Sequence, residues 1–168
     1  MEQGKNCTIW HPELSVLLDC QIGDDCTIHA HVWIGNKVAI GNRCKVQAMT
    51  FIPEGVTIGD DVFIGPRVTF TNDKHPPSEH WSETLVCDGV SIGAGAVILP
   101  GITLNEGCKI GAGAVVTRSV PAWATVVGNP ARIYKLGEHQ FGKHATQEKK
   151  VKDDVKGFLK FVDSFSPS

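Results

Sequence analysis

Ile58-Gly-Asp-Asp-Val62-Phe63-Ile64-Gly-Pro-Arg-Val68-Thr-Phe70 sets a large apolar side chain at every sixth position, and that interval decides the fold. Working backwards, the same beat falls on Ile52, Val46, Ile40, Ile34, Ile28, Ile22, Val16 and Trp10. Working forwards, it resumes at Val86 and continues through Ile92, Ile98, Leu104, Ile110, Val116 and Ala122. The step from Phe70 to Val86 is not a multiple of six, so the segment between them leaves the repeat. A fixed internal period takes precedence over other signals because it sets the whole architecture.

Within one unit, Val62, Phe63 and Ile64 alternate inward, outward and inward, as a short strand does. Gly59, Asp60 and Asp61 then turn the chain, since Gly, Asp and Asn tolerate corner geometry. The form recurs at Ile22-Gly-Asp-Asp, Ile40-Gly-Asn-Arg, Ile92-Gly-Ala-Gly and Ile110-Gly-Ala-Gly. A strand this short cannot pair within its own unit. It winds into a coil and pairs with the coil above, about 4.8 Å away. Three units per coil give a triangular prism, an all-β parallel β-helix. A helical reading fails because six is not a helical period and a Gly at every turn weakens a helix.

Cys20, Cys26, Cys44 and Cys108 each sit four places after an apolar beat, a phase held elsewhere by Val32, Val38, Val56, Val62, Val68, Ala96, Ala114 and Val126. That position takes a small buried side chain, and a reduced Cys behaves as one. Cys7 and Cys87 lie off this phase and receive no assignment. The 168 residues carry a net charge of −2, with no basic stripe in the first 130 residues, which argues against nucleic acid as a partner. No apolar run reaches signal-peptide or membrane-span length, so the expectation is a cytoplasmic protein with no membrane partner.

The prism is expected to occupy residues 1–136, with the segment 71–85 extruded. Residues 137–168 form a second region, beginning with a polar linker over 137–147. In the stretch 145–165, Val151, Val155, Phe158, Leu159, Val162 and Phe165 fall at helical spacing, which predicts a C-terminal amphipathic α-helix. The extruded segment opens Thr71-Asn72-Asp73-Lys74-His75-Pro76. An excursion of this length from so regular a body is usually functional. Pro76 restrains His75 to extended backbone. A His beside Asn and Asp can take a proton, orient an amine and bind hydroxyls, although a plain polar loop has the same composition.

The chain resembles the hexapeptide-repeat acyltransferases over residues 10–135. The resemblance rests on Ile58-Gly-Asp-Asp-Val-Phe-Ile-Gly-Pro66, Phe70-Thr-Asn-Asp-Lys-His-Pro76, Ile110-Gly-Ala-Gly-Ala-Val-Val-Thr-Arg118 and Gly128-Asn-Pro-Ala-Arg132. It implies the left-handed hand of the β-helix. Phe70-Thr-Asn-Asp73 before a Pro is similar to enzymes that acetylate the amino group of a nucleotide-linked deoxysugar. Those relatives usually read Pro-Arg-Ser where this chain has Pro76-Pro77-Ser78, and often Gln-Asn-Asn where it has Gln47-Ala48-Met49.

The resemblance implies transfer of an acetyl group from acetyl-CoA to an amine, with no metal. His75 is then the general base, since a histidine's ordinary pKa lies near operating pH. In the alternative the departing CoA thiolate takes the proton. Asn72 and Asp73 complete the catalytic set with His75, and in that alternative would mainly hold the amino sugar; Gln47, which points outward by phase, could reach it. Ala94 and Ala112 would contact the pantetheine arm through backbone, and Thr117, Arg118 and Arg132 the phosphates or adenine. The outward residues Trp33, Phe51, Phe63, Val97 and Val115 would be covered in a homotrimer, the assembly the family adopts. Three rival readings stand beside this one: an O-acetyltransferase of a sugar or serine hydroxyl, a metal lyase of the γ-carbonic-anhydrase type, and a non-catalytic scaffold. The lyase needs three His around a metal, and His29 and His31 lie too many coils from His75 and His80.

Overall fold

The computed structural model describes residues 1–78 and 80–136; the expected linker and C-terminal helix lie outside the described residues. Short parallel strands stack into three sheets that form the faces of a prism. The first face runs Glu2–Gln3, Gln21–Ile22, Ala39–Ile40, Val56–Ile58, Thr84–Val86 and Thr103–Leu104. The second runs Thr8–Ile9, Thr27–Ile28, Lys45–Val46, Phe63–Ile64, Ser91–Ile92, Lys109–Ile110 and Ala124–Val127, then closes with the antiparallel strand Arg132–Leu136. The third runs Val16–Leu17, Trp33–Ile34, Phe51–Ile52, Thr69–Phe70, Val97–Ile98 and Val115–Val116. Among the described residues no helix is long and apolar enough to cross a membrane.

The register explains the beat. Ile28, Val46, Ile64, Ile92, Ile110 and Val126 lie one above another on the second face, all facing inward and buried. Equivalent columns line the other two faces, and the buried residues make one continuous core. The period slips at both ends. Ile9 pairs with Ile28 and Leu17 with Ile34, whereas Trp10 and Val16 stand 52% and 45% exposed. The cause is the 3₁₀ turn Pro12–Leu14, which follows His11 at φ 52 and sets the first coil off by one place. At the other end Val120 bridges to Leu104 and Val126 pairs with Ile110, so Ala122 is not an inner residue and Val126 is.

Two devices finish the edge between the first and second faces. Small residues fill its inside: Cys26, Cys44 and Cys108 are buried and free there, and Cys20, also buried and free, holds the equivalent place on the edge between the third and first faces. Cys7 joins the column of Cys26 and Cys44. The thiols of Cys7, Cys26 and Cys44 donate to the carbonyls of Gly23, Gly41 and Gly59 at 3.0, 3.1 and 3.1 Å. Burial pushes the Cys108 thiol up to about 12, so it stays protonated and acts as a small hydrophobe. On the outside, each corner turns through a left-handed residue such as Asp25, Arg43 or Asp61, and one corner amide is left to be satisfied along the prism axis. Acidic and amide side chains one coil up accept it: Asn42 Oδ1 takes the Asp24 N–H, Asp60 Oδ1 the Asn42 N–H and Asp88 Oδ1 the Asp60 N–H, each at 2.8 Å. Arg43 adds a bidentate pair onto Asp61 at 2.7 and 2.8 Å.

Phe70 is fully buried, so Phe70→Ala is expected to cost about 3–5 kcal/mol in urea unfolding. Acid should also weaken the prism. The Asn42 backbone N–H holds the Asp60 carboxyl below its ordinary range, and the Arg43 guanidinium does the same for Asp61. Groups lowered on folding contribute fully above the unfolded pKa of about 3.9, and their contribution fades as pH falls through the lower folded value. The Asp60→Asn/Asp61→Asn variant should therefore lose less Tm than the parent between about pH 4 and pH 2.

Candidate functional site

The excursion starts on the edge between the third and first faces. Thr71 still belongs to the wall, its N–H donating to the Ile98 carbonyl at 3.0 Å. Asn72 holds the same corner place as Glu54 one coil below, and its Nδ2 donates to the Glu54 carbonyl at 2.9 Å. The chain returns at Ser82, whose N–H donates to the Asn72 carbonyl at 2.8 Å and closes the neck. Ser82 then fills the corner: a Cβ built on Gly101 would meet the Ser82 Cβ at 3.1 Å, so this glycine makes room for the returning chain. The Thr84 N–H donates to the Gly55 carbonyl at 2.8 Å, and Thr84–Val86 is a wall strand. The arm that projects is thus 73–81 rather than 71–85, because the neck bond lets both flanks stay in register.

Inside the arm the Asp73 carboxylate gathers three donors. Its Oδ1 accepts the His75 N–H at 2.8 Å and the Ser78 hydroxyl at 2.9 Å, and its Oδ2 accepts the Ser78 N–H at 2.7 Å. Desolvation pulls its pKa up, but the bonds from His75 and Ser78 outweigh it and hold the carboxyl below the usual range. His75 itself is exposed, and so is Trp81, at 54%. Asn72 and Asp73 therefore have structural partners in the wall and the arm, while His75 presents its side chain to solvent. The sequence did not single out Ser78; the signal was a hydroxyl residue five places after an Asp, a spacing common to many loops.

The remaining expected residues fall on two edges. Gln47, Ala94 and Ala112 lie on the edge between the second and third faces, with the Gln47 N–H bonded to the Ile64 carbonyl at 2.9 Å. Ala94, Gly95, Ala112 and Gly113 are exposed there. Gly95 and Gly113 have φ of 68° and 69°, and a Cβ on either would meet nothing within 4 Å. This edge is a bare strip of backbone that a thin ligand arm can approach closely. Gly128-Asn-Pro-Ala131 crosses the end of the third face, where Gly128 accepts the Val115 N–H at 3.0 Å and Ala131 donates to the Val115 carbonyl at 2.8 Å. Arg132 begins the return strand beside that strip and is exposed. Thr117 and Arg118 lie instead on the third-to-first edge, the edge of the arm, two coils further along from Asn72, or about 10 Å.

Between these two edges lies the third face. Its outward column is Val16, Trp33, Phe51, Thr69, Val97 and Val115. Trp33 and Phe51 stack with centroids 4.8 Å apart, and Phe51 is 39% exposed. Phe63 points out from the second face instead. A depression of about 640 Å³ opens on the first face around Gln21, Ala39 and Gly41, and none of the expected site residues lines it. Among the described residues no three His, Cys, Asp or Glu converge to hold a metal ion.

Comparison with known proteins agrees with this architecture. Residues 37–72 and 83–118 match the bacterial transferase hexapeptide (six repeats) model, and 20–52 match the hexapeptide repeat of succinyl-transferase; together they span just over half of the chain. A serine acetyltransferase of Buchnera aphidicola subsp. Acyrthosiphon pisum is 34% identical over 161 residues, covering 90% of this chain and 52% of the relative. A 2,3,4,5-tetrahydropyridine-2,6-dicarboxylate N-acetyltransferase of Staphylococcus aureus is 42% identical over 79 residues, covering 47% of this chain and 32% of the relative. The chain thus spans about half the length of the first relative and a third of the second. In structure it is similar to AntD, an N-acyltransferase from Bacillus cereus solved with dTDP and coenzyme A (TM-score 0.68, 23% identity, covering 95% of this chain and 90% of that one). It is also similar to PerB from Caulobacter crescentus, solved with CoA and GDP-perosamine (TM-score 0.64, 22% identity, covering 76% and 57%). At these identities the structural likeness establishes the prism.

Proposed function

Because the chain belongs to the bacterial transferase hexapeptide-repeat family, we propose that it moves an acetyl group from acetyl-CoA to the amino group of a nucleotide-linked deoxyamino sugar. The observation that carries the reading is the arm 73–81: a closed neck projects His75 from an otherwise continuous wall, on the edge across the apolar face from a bare backbone strip. The sugar assignment is supported by Phe70-Thr-Asn-Asp73 ahead of a Pro, and by the likeness to AntD and PerB, whose structures contain dTDP and GDP-perosamine.

In this reaction the amine nitrogen attacks the thioester carbonyl. An oxyanion forms, the C–S bond breaks, and CoA leaves as its thiolate. His75 takes the proton released by the attacking nitrogen. Backbone N–H groups aimed at the oxyanion would stabilise it. The exposed strip at Ala94–Gly95 and Ala112–Gly113 accepts the pantetheine arm, and Arg118 and Arg132 suit the phosphates.

The residues of this site divide between two edges of one prism. His75 and Arg118 lie on one edge of the third face, whereas Ala94, Ala112 and Arg132 lie on the other. A closed threefold ring that covers the apolar third faces brings the arm edge of one copy beside the backbone strip of the next, so the active unit is a homotrimer. A serine hydroxyl is the second acceptor worth testing, since the serine acetyltransferase match runs over 90% of this chain.

Free-thiol release from acetyl-CoA with nucleotide-linked amino sugars and with L-serine decides the acceptor. Turnover is expected with an amino sugar and not with serine; turnover of serine alone would overturn the sugar reading. His75→Asn should lower kcat by about 10²–10⁴, and a loss below about tenfold would move the proton to the CoA thiolate. In light scattering, Phe51→Glu should shift the parent's trimer mass towards monomer and remove activity with it. A monomeric, fully active parent would sink the shared site.

A further inference from the structure

We propose that Ser78 is a positioning residue for His75, acting through the Asp73 carboxylate; the inference rests on the acetyl-transfer reading above. The neck bond from Ser82 to Asn72 fixes where the arm leaves and rejoins the wall, but leaves the residues between them to be ordered locally. Among the described residues of the arm, one cluster does this. Asp73 adjoins the neck, and donors from His75 and Ser78 converge on it. With one oxygen held by the His75 N–H and the other by the Ser78 N–H, the carboxylate joins the two residues into a short ring, 73–78. The Ser78 hydroxyl, 2.9 Å from Asp73 Oδ1, lies beside the same oxygen that takes the His75 N–H. It is also 2.9 Å from the His80 carbonyl, and its single proton serves one acceptor at a time.

The consequence for chemistry follows from the chain's order. His75 lies inside the ring, while the wall holds Asn72, the residue just before the ring. His75 is exposed, so core packing does not fix it. The ring is what fixes the backbone that carries the imidazole, and small displacements of a reacting group cost rate steeply. The same bonds occupy Asp73 with arm donors, so it holds the arm beside the sugar-holding role that the family resemblance implies for it.

Three proteins test this: the parent, Ser78→Ala and Ser78→Thr. Two readouts serve: steady-state thiol release from acetyl-CoA with the amino-sugar acceptors, and amide hydrogen exchange at His75. Ser78→Ala keeps the backbone N–H and loses only the hydroxyl. It should lower kcat about tenfold with KM for acetyl-CoA unchanged, and speed exchange of the His75 amide. Ser78→Thr, which retains the hydroxyl, should recover most of both. A Ser78→Ala protein with parental kcat, or with unchanged His75 exchange, overturns the proposal, as does a Ser78→Thr protein as impaired as the alanine variant. Should the parent release no thiol with any acceptor, the acetyl-transfer reading fails, and exchange at His75 still decides whether Ser78 holds the arm.

Discussion

Each coil of this protein can satisfy its backbone only by lying on another coil. A strand of two residues, such as Phe63–Ile64, has no partner within its own turn and pairs with Lys45–Val46 on one side and Ser91–Ile92 on the other. Pairing in register forces like residues to stack, so every column must hold side chains that tolerate copies of themselves. Aliphatic side chains do this inside, thiols and valines do it at the inner corners, and Asp or Asn does it at the outer ones. Stability is then a sum of neighbour terms along one axis. A coil that lost its register would leave two neighbours with unpaired strand edges.

That constraint also determines where a functional segment can leave. An insertion must exit and re-enter at one corner, or it would displace every later column. The neck between Asn72 and Ser82 does so, and Gly101 makes the room for it. Above it, Thr84–Val86 pairs with Val56–Ile58 as though nothing had been inserted. The wall is therefore a fixed base for the arm, and the order within the arm comes from a separate, local set of bonds centred on Asp73.

Much of this was legible because the period is carried by side chains that must be buried. Phe70, Ile64 and Val86 announce their places by bulk, and the free buried cysteines announce theirs by phase. The misreadings arose where bulk and position part. Trp10 and Val16 keep the beat in sequence, yet Pro12 interrupts the strand path and the first coil turns by a different route. Cys7 looked unassigned because that shift moved it, in sequence number, away from the column it occupies. In the site, His75 was recognisable by its chemistry. The role of Ser78 was not, because a hydrogen bond between residues five apart in a loop leaves no periodic trace. The split of the expected residues between two edges was also hidden, since six-residue spacing gives the phase along the chain and says nothing about which edges meet a neighbour.

The apolar third face connects these points. Its outward column carries Trp33, Phe51, Val97 and Val115, whereas the outward column of the second face includes Lys45 and Lys109. A face of that composition is costly to leave in water and favours a covering surface. Since the arm borders it on one side and the backbone strip on the other, whatever covers it also decides what the two edges confront. Under the acetyl-transfer proposal, association and chemistry would then be coupled by placement: packing the third face would set the arm edge and the backbone strip against neighbouring copies.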